Sequence, residues 1–224
     1  MCSHYQGLKE QERYLKNFGV LPPAGPSKLD LWPGYLGSFI RRHPNADVGD
    51  EAVPELEAVN GLFGLVPSWA TDTKLSKRTY NARSETVAEK PSFRDAWKRA
   101  QHCIIPAQAI YEPDWRRGRA VATRIEHADG IPMGIAGLWS RWQSPVGDVY
   151  SYTMLTINAD QHPLMNQFHK PADEKRMVVI LPPHRYTEWL SAPADQSHDF
   201  LLPYPAEQLR AEPAEQVSQM GLAL

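Results

Sequence analysis

VATRIEHADGIPMGIAGLWS (121–140) consists of two extended stretches on either side of Asp129-Gly130. Asp-Gly tolerates the positive φ of a tight turn, so the segment is expected to fold as a β-hairpin. Outward from it the extended signals continue. HCIIPAQAIYE (102–112) is an apolar run, and VYSYTMLTIN (149–158) and RMVVIL (176–181) read as two further strands. Upstream, YLGSFI (35–40) is strand-like within a stretch rich in Pro, Gly and Asp. Residues 55–69 read as a buried strand that enters a turn at Val66-Pro67.

Helical signals are short. LKEQERYLKNF (8–18) carries Leu8, Leu15 and Phe18 at helical spacing, with Gly19 as the stop. SFRDAWKRA (92–100) is expected to start with Ser92 as its N-cap and to bury Phe93 and Trp97 on one face. Near the C-terminus, YTEWLS (186–191) and PAEQLR (205–210) are short helix candidates. Twenty prolines argue against long helices. The expected fold class is α+β: a single domain over 1–224 with a mixed, antiparallel, barrel-like core of many short strands and a few peripheral helices. The motif-bearing part runs over about 2–181, and 182–224 is expected to be a helical extension packed on it.

Composition narrows the function classes. Of 224 residues, 42% are hydrophobic and 22% charged, ordinary for a globular protein, and the net charge of −2 gives no support for bulk electrostatic binding of nucleic acid. A local basic groove remains open. Two cysteines do not make a disulfide framework, no export signal is visible, and no apolar run reaches membrane length. The expectation is a reduced, cytoplasmic, monomeric protein without a membrane partner. The Cys and His spacings do not suit zinc, so neither a metal nor a cofactor is expected.

The chain begins MCSHYQG (1–7). Cys2 is small enough for an aminopeptidase to remove Met1, which would leave an amine and a thiol on adjacent carbons. An α-amine with a pKa of about 7.7–8.0 is roughly a tenth uncharged at pH 7, several hundred times more than a lysine. It can attack an aldehyde, and the neighbouring thiol can then close a five-membered thiazolidine. Three other positions invite attention. Asn81 lies in TYNARSET (79–86), Glu112 ends an apolar strand where a carboxylate is expensive unless used, and His169 precedes a strand in NQFHKPADEKRMVVIL (166–181). Each alone is as well explained as a turn residue, a strand end and a solvated loop.

Taken in order, the strings resemble one family. An N-terminal Met-Cys, Gly64-Leu65-Val66-Pro67-Ser68-Trp69, Asn81-Ala82-Arg83-Ser84-Glu85-Thr86, Ile105-Pro106-Ala107 with Tyr111-Glu112, the strand end LTINAD (155–160) and a late His169 before RMVVIL are similar to the SRAP, or SOS response-associated peptidase, family. That resemblance implies a sensor of abasic sites in single-stranded DNA that crosslinks through Cys2 as part of the DNA damage response. It implies Asn81 holding the Cys2 backbone or the sugar, and Glu112 and His169 as acid/base groups. It also implies strand contacts from Arg83, Trp69 and Phe63, with Thr156 near the site. Lys74, Lys77 and Arg78 cluster beside Asn81 and could extend a groove, as could Arg41-Arg42 and Arg116-Arg117-Arg119.

The chain departs from the family pattern at several points. Ser3-His4 replaces Gly-Arg, Phe63 replaces a tryptophan, Trp115 follows Glu112 at a longer interval, and the spacing from His169 to Arg176-Met177 is longer. Two other readings stay open. One is a cysteine peptidase or self-processing hydrolase using Cys2 and His169. The other is a non-covalent single-strand binding module with Trp69 as its platform.

Overall fold

Gln108 divides the apolar run 102–112 into two strands that belong to different sheets. The computed structural model describes residues 2–25, 28–144 and 147–214. In chain order the elements are β1 (His4–Gln6), α1 (Gln11–Phe18), β2 (Asp30–Leu31), β3 (Leu36–Arg42), β4 (Leu56–Phe63), β5 (Asn81–Arg83) and α2 (Arg94–Lys98). They continue with β6 (His102–Ala107), β7 (Ala109–Asp114), β8 (Val121–His127), β9 (Met133–Ser144), β10 (Gly147–Asn158), β11 (Arg176–Val178), β12 (Ile180–Leu181), α3 (Tyr186–Ser191) and β13 (Leu209–Pro213). Strands β10, β4, β3, β6 and β9 pair in turn, and β9 pairs back to β10, which closes a mixed five-stranded barrel. A second sheet runs β13-β8-β7-β1-β2. The fold is α+β, with a barrel-like core and few short helices.

Every residue of β6 is buried, because its inner face lines the barrel and α3 covers its outer face. Trp189 of α3 is fully buried and its Nε1 donates to the Cys103 carbonyl at 2.8 Å. Inside the barrel, Tyr5, Phe39, Phe63 and Tyr152 form an aromatic cluster. The Tyr5 and Tyr152 hydroxyls are 2.6 Å apart at its centre.

The segment 121–140 does turn at Asp129-Gly130, where Gly130 has φ 71° and its N–H meets the His127 carbonyl at 2.9 Å. It is not a hairpin. β8 pairs with β7 and β13, whereas β9 pairs with β6, β10 and β12. Five residues separate β8 from β9, too many for a two-residue turn, and Pro132 has no N–H for a ladder, so the chain crosses between sheets. Three helical readings also change. α1 buries Tyr14 and Phe18, while Leu15 points to solvent. Phe93, not Ser92, precedes α2, and no side-chain cap is made. PAEQLR is one 3-10 turn followed by β13, since Leu209 and its neighbours find an open ladder on β8. The expected extension beyond residue 214 lies outside the described residues. Among the described residues, no helix is long and apolar enough to cross a membrane.

Gly64 ties β4 to the segment that leads to Trp69. Its φ is 117°, and an added Cβ would lie 1.8 Å from the Ser76 carbonyl oxygen. Left-handed strain and overpacking each cost about 1–3 kcal/mol. Gly64→Ala is therefore expected to destabilise the protein by about 2–5 kcal/mol, read as a loss of denaturation midpoint at unchanged slope.

Candidate active site

Pairing of β1 with β7 sets the site. His4 lies opposite Tyr111 and Tyr5 opposite Ile110, which leaves Cys2 just beyond the strand, beside Glu112. The Cys2 side chain is buried, and its Sγ donates to the His4 carbonyl at 3.4 Å. Asn81 opens β5, which runs parallel to β10, and its Nδ2 donates to the Cys2 carbonyl at 2.7 Å. Glu112 points inward from β7 and is 2% exposed. His169 Nε2 stands 3.2 Å from Glu112 Oε2. The His169 N–H donates to the Pro113 carbonyl at 2.8 Å, and Phe168 bridges Asp114, so the loop is stitched to the end of β7. His169 itself has φ 64°, a left-handed conformation that costs a non-glycine residue roughly 1–3 kcal/mol. Cys2, Asn81, Glu112 and His169 thus meet in one place.

Burial decides their charge. It pushes Glu112 up to about 7, because a carboxylate loses its hydration there. It brings His169 down to about 4, helped by nearby positive charge that includes Lys175. Burial, and then the Glu112 charge, raise the Cys2 thiol far above the ordinary value. The site holds a neutral thiol and a neutral imidazole, beside a carboxyl that keeps its proton up to about pH 7. That is the opposite of the thiolate–imidazolium pair on which an acyl-transferring cysteine depends.

The expected strand contacts divide into two sets. Trp69 is 53% exposed, with Nε1 donating to the Pro91 carbonyl at 3.3 Å. Lys74, Lys77 and Arg78 are exposed on one short turn, Lys74 beside Asp72 at 3.2 Å. Arg83 is exposed and bonds Glu174 at 2.9 Å. Phe63, expected among the strand contacts, is wholly buried in the barrel cluster against Tyr5 and Tyr80. Thr156 is buried too, and its hydroxyl accepts from Arg176 at 3.3 Å. Arg41 is also buried, between the rings of Trp139 and Tyr150 with Glu57 as its counter-ion, so it extends no groove. Arg42 and Arg116 are held by Asp47 and Asp114.

Two features escaped the sequence reading. His4 is sandwiched between Trp32 and Tyr111, with ring centroids 4.1 Å away on each side and Asp30 on its Nε2 at 3.0 Å. Arg176 is 2% exposed and bonds Glu85, Glu174 and the Thr156 carbonyl. A charged residue leading the buried run RMVVIL was the available signal. Among the described residues, no group of three or more His, Cys, Asp or Glu could hold a metal ion.

The protonation pattern has a measurable signature. A raised Glu112 contributes stability that is present below the ordinary 4.5 and lost as pH rises through about 7. A depressed His169 contributes stability that is present above the ordinary 6.5 and lost as pH falls toward about 4. Between those ordinary values the native and unfolded pairs each hold one proton, so the pair adds almost no pH slope. His169→Gln is expected to make stability fall with pH relative to wild type, by about 1.4 kcal/mol per unit. Glu112→Gln should produce the opposite slope, of similar size. Denaturant titrations across this range check both signs.

Known proteins share this architecture. A crystal structure of a protein from Bordetella bronchiseptica aligns with a TM-score of 0.86 at 52% identity, covering 96% of this chain and 100% of that one. One from Bacteroides thetaiotaomicron shares the fold, with a TM-score of 0.76 at 20% identity over 94% of this chain and 90% of that one. The abasic site processing protein YoqW of Bacillus subtilis is 35% identical over 156 residues, 66% of this chain and 65% of that protein. The abasic site processing protein HMCES of Gallus gallus is 25% identical over 179 residues, 70% of this chain and 52% of that protein. This chain therefore spans less than two thirds of the length of those two relatives. The family model described as SOS response associated peptidase (SRAP) matches residues 1–219, and the chain belongs to that family.

Proposed function

We propose that the protein processes abasic sites in DNA, and that it does so by forming a covalent crosslink through Cys2 once Met1 is removed. The observation that carries this reading is the Asn81 bond to the Cys2 carbonyl, which fixes an aminothiol beside the buried Glu112–His169 pair. The names of the Bacillus and vertebrate relatives point to the same lesion.

The chemistry follows from the neutral groups. The Cys2 amine attacks C1′ of the ring-opened deoxyribose, forming a C–N bond and a carbinolamine. Glu112, which holds its proton up to about pH 7, gives it to the departing hydroxyl; water leaves, and the nitrogen proton returns to Glu112 as the imine forms. The Sγ–H then adds across C=N: sulfur bonds to carbon, and the thiol proton passes to nitrogen by way of Glu112. His169 accepts and returns protons to Glu112. The product is a thiazolidine, and the balance is the loss of one water. A protonated thiol fits this last addition and does not suit peptide hydrolysis.

The strand is held by its backbone. Trp69 offers an exposed ring for a base, and Lys74, Lys77, Arg78 and Arg83 offer charge for phosphates. Single-stranded DNA is the partner this implies, since a stacking ring needs an unpaired base. The protein is proposed to act as a monomer.

Intact mass of the Met1-processed protein, mixed with single-stranded DNA carrying one abasic site, tests the reading. The expected result is an adduct equal to the sum of both masses less one water, stable to heat. Cys2→Ser should bind the DNA without giving a heat-stable product. Binding without any adduct in the processed wild type would sink the crosslink. Glu174→Gln removes the anion that occupies Arg83. It is expected to tighten DNA binding about threefold at low salt and to steepen the salt dependence, as fluorescence anisotropy would show.

A further inference from the structure

The turn that carries His169 converges on one cation. Lys175 Nζ donates to the carbonyls of Phe168, His169 and Lys170 at 2.9, 3.3 and 2.7 Å. An ammonium has three N–H groups and no acceptor, so three carbonyls use all of them. Lys175 is itself fixed at the end of β10. Its N–H donates to Asp160 Oδ1 at 3.0 Å, and its carbonyl accepts from the Ala159 N–H at 2.8 Å. The other side of the turn is fixed to β7 through Pro113 and Asp114. His169 thus hangs between the strand that carries Glu112 and the Lys175 side chain, in a left-handed conformation that it would not hold unaided.

We propose that Lys175 is a positioning residue, whose ammonium clamps the 168–170 turn so that the His169 imidazole meets Glu112. Its consequence for the crosslink rests on the abasic-site reading; its consequence for His169 does not. Among the described residues, the charged and titratable groups acting on the imidazole are Glu112 from β7 and Asp173 and Lys175 from its own loop. Burial comes first in keeping the ring neutral, the positive charges add to it, and Asp173 opposes them. With its donors saturated by carbonyls, Lys175 is not available to a DNA phosphate.

The test compares Lys175→Met, which keeps the stem and loses every donor, with Lys175→Arg, which keeps the charge. In the free protein, NMR of the His169 imidazole is expected to show a titration midpoint moved upward and a broadened signal in Lys175→Met. Lys175→Arg should hold the midpoint near wild type. The crosslinking rate on abasic single-stranded DNA should fall roughly tenfold to a hundredfold in Lys175→Met and recover in part in Lys175→Arg. Affinity for intact single-stranded DNA should change by less than about twofold, because no phosphate contact is lost. A folded Lys175→Met with unchanged His169 titration and unchanged rate overturns the proposal. If that variant does not fold, Lys175→Gln, with two donors, gives the same comparison with smaller changes. If the NMR changes appear while even wild type forms no adduct, the positioning role stands and the abasic-site reading falls.

Discussion

Three backbone-paired residues, His4 to Gln6, set the register on which the rest of the structure depends. Lying against β7, they send Tyr5 into the barrel to meet Tyr152 and turn His4 outward between Trp32 and Tyr111. Side chains alternate along a strand, so a slip of one residue would bury the imidazole and expose the tyrosine. It would also carry Cys2 away from Glu112. The two ends of the register are locked by different physics, aromatic packing inside and a stacked, ion-paired histidine outside. Neither lock involves a group that reacts.

The Cys2–Glu112–His169 cluster sits where the barrel and the second sheet meet, and Gln108 is the hinge between them. Its N–H donates to the Gln6 carbonyl at 2.7 Å, which fixes β1 at the point where the chain changes sheets. A carboxylate at this junction would be costly to bury with its charge. The structure answers by placing two groups of opposite preference in contact, both neutral between about pH 4 and about pH 7. Charge nearby is paired instead: the buried Arg176 is neutralised by Glu85 and Glu174, and Glu174 also holds the exposed Arg83.

Much of this was legible in the sequence, and the failures are instructive. Cys2, Asn81, Glu112 and His169 could be singled out because their strings follow one family's order, although each alone has an ordinary structural explanation. Strand identity was also visible, but strand partnership was not. Asp129-Gly130 looks the same whether it closes a hairpin or passes the chain to another sheet, and the difference lies in the length of the connection and in Pro132. Gln108 carries no local mark of a sheet switch, because β6 and β7 are apolar on both sides of it. Phe63 stands where the family resemblance implies a strand contact, and its ring forms part of the barrel core. Lys175 could not be found by pattern at all. Its role lies in three carbonyls, and carbonyls have no sequence.

The burial of Cys2 has a consequence for how the protein withstands oxidants. Peroxides and disulfides are attacked by thiolates, and a thiol held protonated and 1% exposed offers them little of either form or access. An N-terminal aminothiol in open solvent would be consumed by oxidants and stray small aldehydes. Under the crosslinking proposal, the fold that buries the Cys2 thiol also preserves it for the lesion.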